Sequence, residues 1–596
     1  MRLPSRSTAY FSFAAFLVFA AFSAGLARES SSGSFYKNFE QLYRVLARLN
    51  EAYVEEIPSD QMIDAAVKGV TDILDPHTAY FDARETEELK VHTEGEFGGL
   101  GITIGVRENV LTVISPLVNT PAYRMGIQAG DRILEIDGKP TKGLTVDSAV
   151  GKLRGKAGTD VTIKVWREGF SEPLPFKITR EIIKIESVPY YGMLPGNVGF
   201  IKLVQFSRTT GDDIEKAVVE LKKQGMKGLI LDLRFNPGGL LNQAVDVSEL
   251  FLPKGNVVVS TKGRLSGQNS DLTSSRAPLV DPNLPLVVLV NGGSASAAEI
   301  VSGAIQDWDR GVILGTQTFG KGSVQTIFPI GDDGTHILKL TTAFYYTPSG
   351  RCINKKENSI RFKNLDTAKA DTAKKPEFDD DLGVELGEKA DTSFDTTGHK
   401  SFLTKVLNRK VWDAGGILPD LRVAGRTLNP YQQELERKAV FFRWAVKERP
   451  LLSKTHKIDT SFQVSDALVE NFHAFLSTDS IKFRFESPAV RMLKEIRKTL
   501  DREQKGADSL PPALRRNVTA KIDELDSALA RAGDLEFERN REYIREGLMR
   551  ELLLAGGGIK PATSYQLRFD PQVKAALDLL AHPARYRAIL SAPKGK

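Results

Sequence analysis

Residues Pro285–Gly315 read "PLVVLVNGGSASAAEIVSGAIQDWDRGVILG". The opening "PLVVLVN" is a short, nearly unbroken apolar run, the texture of a strand buried on both faces. "SAAEIVSGAIQDW" follows with helical spacing, and "GVILG" is a second buried strand. Strand, helix and strand in such close succession call for a sheet with helices laid across it. The pattern extends upstream. "VGFIKLVQF" (Val198–Phe206) reads as a strand. The helix "DDIEKAVVELKKQG" sets Ile214, Ala217, Val218 and Leu221 on one face and stops at Gly225. "GLILDLR" (Gly228–Arg234) is another buried strand, and "NPGG" (Asn236–Gly239) turns the chain into the helix "LLNQAVDVSELF". Downstream, "THILKLTTAFYYT" closes the region. This α/β body is assigned to 177–353, and "GGILPDLRV" returns the chain to it over 413–425.

The flanks differ in texture. Residues 28–94 carry helical periodicity, as in "FEQLYRVLARLNEAYV", where Leu42, Val45, Leu46 and Leu49 fall at three- and four-residue steps. Residues 95–176 alternate short strands with glycine turns: "FGGLGITIGV", "VLTVISPL", "GDRILEIDG" and "VTIKVWREG", with one short helix, "TVDSAVGKL". Residues 354–412 are polar and rich in Asp, Lys and Thr, which reads as a partly disordered insertion. Residues 426–596 are helical and charged, with no visible chemistry, and fit a packing or self-association domain. A chain of 596 residues is thus several domains, of multidomain α/β and α+β class.

Composition excludes several function classes. The net charge of +6 is spread among acidic residues with no dense basic block, so nucleic acid is not an expected partner. The single cysteine, Cys352, rules out an intrachain disulfide framework, and the seven histidines show no metal-ligand spacing. At the N-terminus, Arg2 and Arg6 precede an apolar run from Ala9 to Ala27 that ends in "SAGLA". That is the form of a signal peptide over 1–27, cleaved after Ala27, or of an uncleaved membrane anchor. Either way the body is expected to be exported, where ATP is scarce.

"GTQTFGKGSVQ" (Gly315–Gln325) is nearly a phosphate loop. Such a loop needs Ser or Thr directly after its lysine, and a helix behind it. Here Gly322 follows Lys321, and the β-branched "SVQTIFPI" reads as a strand. Lys321 needs another task, and "NGGSASAAEI" (Asn291–Ile300) offers one. Ser294 and Ser296 sit where a buried strand becomes a helix. On this segment alone, Ser296 with Glu299 makes a capping box. Serine is also a weak nucleophile that needs a base, and a lysine serves when burial favours its neutral form. If Lys321 already belongs to the strand, Gln325 shares its face and can orient the amine. The N–H of Ala297 and the tight turn at Gly238 and Gly239 are candidate donors for an oxyanion.

"LDLRFNPGG", "NGGSASAAEI" and "GTQTFGKGSVQT" resemble the three signature segments of the carboxy-terminal processing peptidases, or tail-specific proteases. Residues 95–176 resemble a PDZ domain, with "GGLGI" matching its carboxylate-binding loop and "SPLVNTPAYRMGIQAGDRILEIDG" the PDZ segment usual in this family. "LDPHTAYF", "YYTPSGR" and "GGILPD" also agree. The resemblance implies a crotonase-like core, a Ser-Lys dyad of Ser296 and Lys321 supported by Gln325, and no metal or organic cofactor. It implies substrates held by their C-terminal tails at Gly99, Leu100, Gly101 and Ile102. Ser294 remains the lesser candidate for nucleophile. An aspartate sometimes proposed as a third member falls on Asp307, about 16 Å along the helix from Ser296 at 1.5 Å per residue, and is read as structural. The rival from another class is a non-catalytic PDZ scaffold on a protease fold. Peptide hydrolysis is expected to need no nucleotide and to continue in EDTA, since no hydroxyl follows Lys321. Turnover that depends on ATP would restore the phosphate-loop reading.

Overall fold

The computed structural model describes residues 36–591 apart from 108, 332–333, 356–397, 479–480, 482, 484, 486–487 and 504–510. The expected signal segment and most of the expected insertion therefore lie outside the described residues. The chain divides into two units.

The smaller unit holds the N-terminal residues to Ala83 together with 327–340. Residues 36–52 are helical, and a second helix spans Ser59–Asp72. The expected helical segment is interrupted here. The Asp75 carboxylate accepts hydrogen bonds from the backbone N–H groups of His77 and Thr78 and from the Thr78 hydroxyl. That turn, beside Pro76, ends helical geometry and starts strand Ala79–Phe81. The strand pairs antiparallel with Ile337, Leu338 and Lys339.

The larger unit contains the remaining elements. Over 96–184, strands run in the order Ile102–Arg107, Val110–Pro116, Arg132–Ile136, Asp160–Trp166, Leu174–Thr179, with Ile102–Arg107 at an edge. Strands Glu96–Gly99 and Glu181–Lys184 pair to tie the ends of this segment together. Helix Val146–Leu153 contributes Ala149 and Leu153 to a core with Val113, Ile133, Ile163 and Val165.

The α/β body is built on a six-stranded sheet in the order Tyr190–Leu194, Val198–Lys202, Gly228–Asp232, Leu286–Val290, Val312–Gly315, Leu421–Arg422. The first pair is antiparallel and the rest are parallel. Successive side chains of a strand point to opposite faces. Leu286, Val288 and Val290 accordingly join one core with Ile214, Val218, Leu221, Val247 and Val301 from the crossover helices Thr210–Lys223, Leu241–Glu249 and Ala297–Asp307. Val287 and Leu289 join another, with Phe200, Ile230, Val312 and Leu314. Parallel sheets need both faces covered. The cover for the second face comes from the far end of the chain, where Val573, Ala576 and Leu579 of helix Pro571–Ala581 and Tyr586 of helix Pro583–Leu590 pack upon it. The Tyr586 hydroxyl also exchanges hydrogen bonds with the backbone N–H and carbonyl of Leu286.

The region after 426 is helical, as expected, and buries a core of its own around Leu435, Trp444, Phe472, Ile544 and Leu548. The end of the expected insertion is ordered: Ser401–Leu403 and Lys410–Trp412 form a hairpin, and Arg409 within it binds Asp309 and Asp420 at 2.6 Å each. Leu579→Ala is expected to destabilise the fold by about 2–5 kcal/mol, since Leu579 is fully buried against the sheet. Leu535→Ala, on an exposed helical face, is expected to change stability by less than about 0.5 kcal/mol. Equal shifts of the urea transition in the two variants would remove the terminal helices from the core.

Candidate active site

Helix Ala297–Asp307 begins directly after Ser296, which stands at φ +53°. A serine in the left-handed region at a strand-to-helix turn is strained, and such strain persists only where the surroundings impose it. Ser296 stands at the N-cap in a capping-box arrangement with Glu299, yet its hydroxyl makes no capping hydrogen bond. The Glu299 N–H donates to the Ser296 carbonyl at 2.9 Å instead. The hydroxyl is thus left uncommitted by the cap that would explain it away.

Ser294 differs. It is fully buried, and its hydroxyl donates to the Leu233 carbonyl at 2.8 Å while accepting from the Asn291 N–H at 3.0 Å. Both bonds tie the turn together, so the hydroxyl is spent on structure.

The two sequence segments meet at Glu299. Its Oε2 accepts the N–H of Ser296 at 2.8 Å and the N–H of Lys321 at 2.9 Å. Its Oε1 accepts the Gly320 N–H at 2.7 Å and the Thr318 hydroxyl at 2.5 Å. Four donors converge on one fully buried carboxylate. Burial is the larger influence and lifts its carboxyl to about 7, against the downward pull of those hydrogen bonds. The Tyr345 hydroxyl, held protonated by burial, lies between the carbonyl oxygens of Ser296, at 3.1 Å, and Lys321.

The lysine loop is packed rather than loose. Gly320 is at φ +90°, and a Cβ there would lie 2.5 Å from the Gly415 carbonyl oxygen. A Cβ on Gly322 would lie 2.7 Å from Asn354 N. The glycines flanking Lys321 therefore answer close backbone approach, not a need for mobility. The strand starts at Ser323, so Lys321 precedes it and strand alternation does not pair it with Gln325. The Gln325 amide donates to the Ser323 hydroxyl at 2.9 Å and to the Thr341 hydroxyl at 3.3 Å, which leaves its carbonyl oxygen as the group for an amine.

Of the two glycine amides expected to face an oxyanion, one is excluded. The Gly238 N–H donates to Asn236 Oδ1 at 2.9 Å. What Gly238 provides is proximity: a Cβ there would fall 2.8 Å from Ser296 Cβ and 2.9 Å from Ala297 N. Gly239 is exposed, and neither its N–H nor that of Ala297 makes a hydrogen bond among the described residues. Asp307 is structural, as expected, with its fully buried carboxylate bound to Arg351 at 2.6 Å and to the Ser349 N–H at 2.9 Å.

In the 96–184 segment, Gly99 ends a strand and Leu100 is buried in the local core with Ile102 packed beside it. Gly101 is at φ +75°, where a Cβ would lie 2.3 Å from that of Thr120. The Leu100 carbonyl accepts from Ala122 N at 3.0 Å, and the Gly101 carbonyl from Leu117 N at 2.8 Å. The N–H groups of Leu100 and Gly101 take no hydrogen bond among the described residues. Successive backbone amides without an internal partner can form a nest for an anion.

Family models match three parts of the chain. The model of peptidase family S41 matches residues 197–360, a PDZ domain model matches 112–167, and the C-terminal helical domain of a probable PDZ-protease matches 431–580. A carboxy-terminal-processing protease of Bartonella bacilliformis is 45% identical over 323 residues, which cover 53% of this chain and 73% of that protein. The chain belongs to the carboxy-terminal processing proteases of peptidase family S41. A relative in that family, the carboxy-terminal processing protease CtpA of Bacillus subtilis, is 34% identical over 362 residues, covering 61% of this chain and 75% of its own length. A solved structure, a photosystem II D1 C-terminal processing protease, is 30% identical, covers 52% of this chain and 84% of that one, and has a TM-score of 0.32.

The residue that sequence reading undervalued is Glu299. Its signal was present in the capping box, but a cap is ordinarily exposed and local, whereas this one reaches a loop more than twenty residues on. Glu299→Gln is expected to lower peptidase activity at least about 10-fold, because the amide nitrogen replacing one oxygen cannot accept from donors already aimed at it. The ionised form accepts all four donors, so cleavage is expected to fall as pH drops through about 7. Stability runs the other way. With its carboxyl raised above the unfolded value, this group's contribution is full below the ordinary carboxylate range and is lost as pH rises through about 7. A pH profile of activity identical in wild type and Glu299→Gln, near wild-type rate, would contradict the clamp.

Proposed function

We propose that this protease is an exported serine endopeptidase that selects substrates by their C-terminal tails and cuts them with a Ser296–Lys321 dyad. The observation that carries the reading is the shared Glu299 oxygen, which accepts the backbone amides of both residues. Nucleophile and base must be kept within hydrogen-bond reach through the reaction, and a buried carboxylate joining their backbones supports that. In the proposed cycle the Ser296 Oγ attacks the scissile carbonyl and the Lys321 amine takes its proton. The N–H groups of Gly239 and Ala297 receive the oxyanion. Lys321 then returns the proton to the departing amine, and water repeats the sequence on the acyl-enzyme. The Gln325 carbonyl oxygen holds the amine in line.

The amides of Leu100 and Gly101, which make no hydrogen bond among the described residues, support capture of a terminal carboxylate. The edge strand Ile102–Arg107 supports addition of the tail as a further strand. Arg2, Arg6 and the apolar run before Ala27 support action outside the cytoplasm, either free after cleavage or anchored at the outer face of the inner membrane.

Ser296→Ala and Lys321→Ala are each expected to reduce kcat by at least about 10³-fold, with the double variant no worse than either. Lys321→Arg is expected to fail equally, because a guanidinium does not accept the proton. Turnover retained in Ser296→Ala would exclude this mechanism. For tail reading, a peptide ending in small or apolar residues is compared with its C-terminal amide at subsaturating concentration. The amide should be cut far more slowly, and equal rates would mean that the carboxylate is not read.

A further inference from the structure

The turn carrying the oxyanion amide is held from outside the peptidase body. Strand Gly228–Asp232 runs into Leu233, Arg234, Phe235 and Asn236 before reaching Gly238 and Gly239. Arg234 uses every face of its guanidinium. Nε and one terminal nitrogen bind the two oxygens of Asp232 at 2.8 and 2.7 Å. The other terminal nitrogen binds Asp570 Oδ2 at 2.7 Å and Gln572 Oε1 at 2.8 Å. Asp570 and Gln572 lie more than 330 residues away, at the start of helix Pro571–Ala581. Asp570 is also the N-cap of that helix, accepting from Gln572 N and Val573 N, and the Gln572 amide donates to the Val423 carbonyl.

Immediately after Arg234, Phe235 stands at φ +58°. Its N–H donates to Asn291 Oδ1, which also accepts from Gly293 N beside the Ser294–Ser296 turn. Asn236 receives the Gly238 N–H on its side chain and the Ala295 N–H on its carbonyl. A cavity of about 140 Å³ lined by Lys202, Arg234, Phe235, Arg426, Asp570 and Gln572 opens beside Arg234 and Phe235. On that side directional bonds hold the turn, and the strained Phe235 needs them.

We propose that Arg234 is a positioning residue for the oxyanion turn, and that Asp570 and Gln572 of the C-terminal helices set it. The C-terminal domain is then a structural part of the active site. This rests on the reading that Gly239 and Ala297 N–H groups receive the oxyanion. A turn displaced by a fraction of an ångström weakens binding of the oxyanion while leaving ground-state peptide binding intact.

The test uses the full chain, a tail-bearing peptide substrate and a peptide aldehyde, whose hemiacetal with the nucleophile carries the oxyanion. Asp570→Asn keeps one capping oxygen and removes the charge facing Arg234, and Gln572→Met removes the second acceptor. Each is expected to lower kcat about 10- to 100-fold with KM within about twofold of wild type, and to weaken aldehyde inhibition in parallel. Arg234→Lys combined with Asp570→Asn should lose no more than the worse single variant. Unchanged kcat and aldehyde affinity in folded Asp570→Asn and Gln572→Met, whatever their thermal stability, would overturn the proposal. So would a loss confined to KM. Ser296→Ala run alongside separates the two readings: if it still cleaves, the nucleophile assignment fails, whereas an inert Ser296→Ala with fully active Asp570→Asn and Gln572→Met sinks only the positioning role.

Discussion

A single buried carboxylate organises the catalytic face of this protease. Glu299 sits in the first turn of the helix that follows Ser296, where an acidic side chain suits the helix dipole. It reaches back to the Ser296 amide and across to Thr318, Gly320 and Lys321. Burying a charge is costly unless hydrogen bonds replace its water. Here the replacement is complete only when two remote segments are both in place. Thr318 extends the grip, since its hydroxyl also accepts from the Ile417 N–H at 2.6 Å, so the returning segment after the insertion is tied to the same point.

The other constraint is topological. A parallel sheet cannot leave a face in water, and the crossover helices of this core cover only one. The second face is closed by helices from the end of the chain, which bring Asp570 and Gln572 onto Arg234. One act of burial therefore serves two ends: it completes the hydrophobic core and delivers polar groups to Arg234, just before the turn at Gly238 and Gly239. The Asp232–Arg234 pair that receives them is buried, and Asp232 stays ionised because the guanidinium answers its desolvation.

The PDZ segment follows a similar logic on a smaller scale. Gly99 and Gly101 let the chain pass close to Phe97 and Thr120, and the carbonyls between them are bound inward by Leu117 and Ala122. What is left without a hydrogen bond among the described residues is two amides, beside the edge strand Ile102–Arg107.

Much was legible in the sequence because it is local. The run Leu286–Val290 declares a strand buried on both sides, and small residues around Ser294 and Ser296 declare a tight strand-to-helix turn. The three signature segments point to the peptidase family. Single-residue geometry was beyond reach. Ser294 and Ser296 are equivalent as letters, and only the fold spends the Ser294 hydroxyl on Leu233 while the Ser296 hydroxyl makes no capping bond. Gly238 and Gly239 are likewise identical in type, but the Asn236 side chain consumes the first amide. The sequence by itself determined the elements, their alternation and the chemical repertoire, since these follow from short-range periodicity and residue type. Only the tertiary structure decided that Glu299 joins Ser296 to Lys321 and that the chain's last helices brace Arg234. Both depend on burial and on contacts between residues far apart in the chain, which no local pattern encodes.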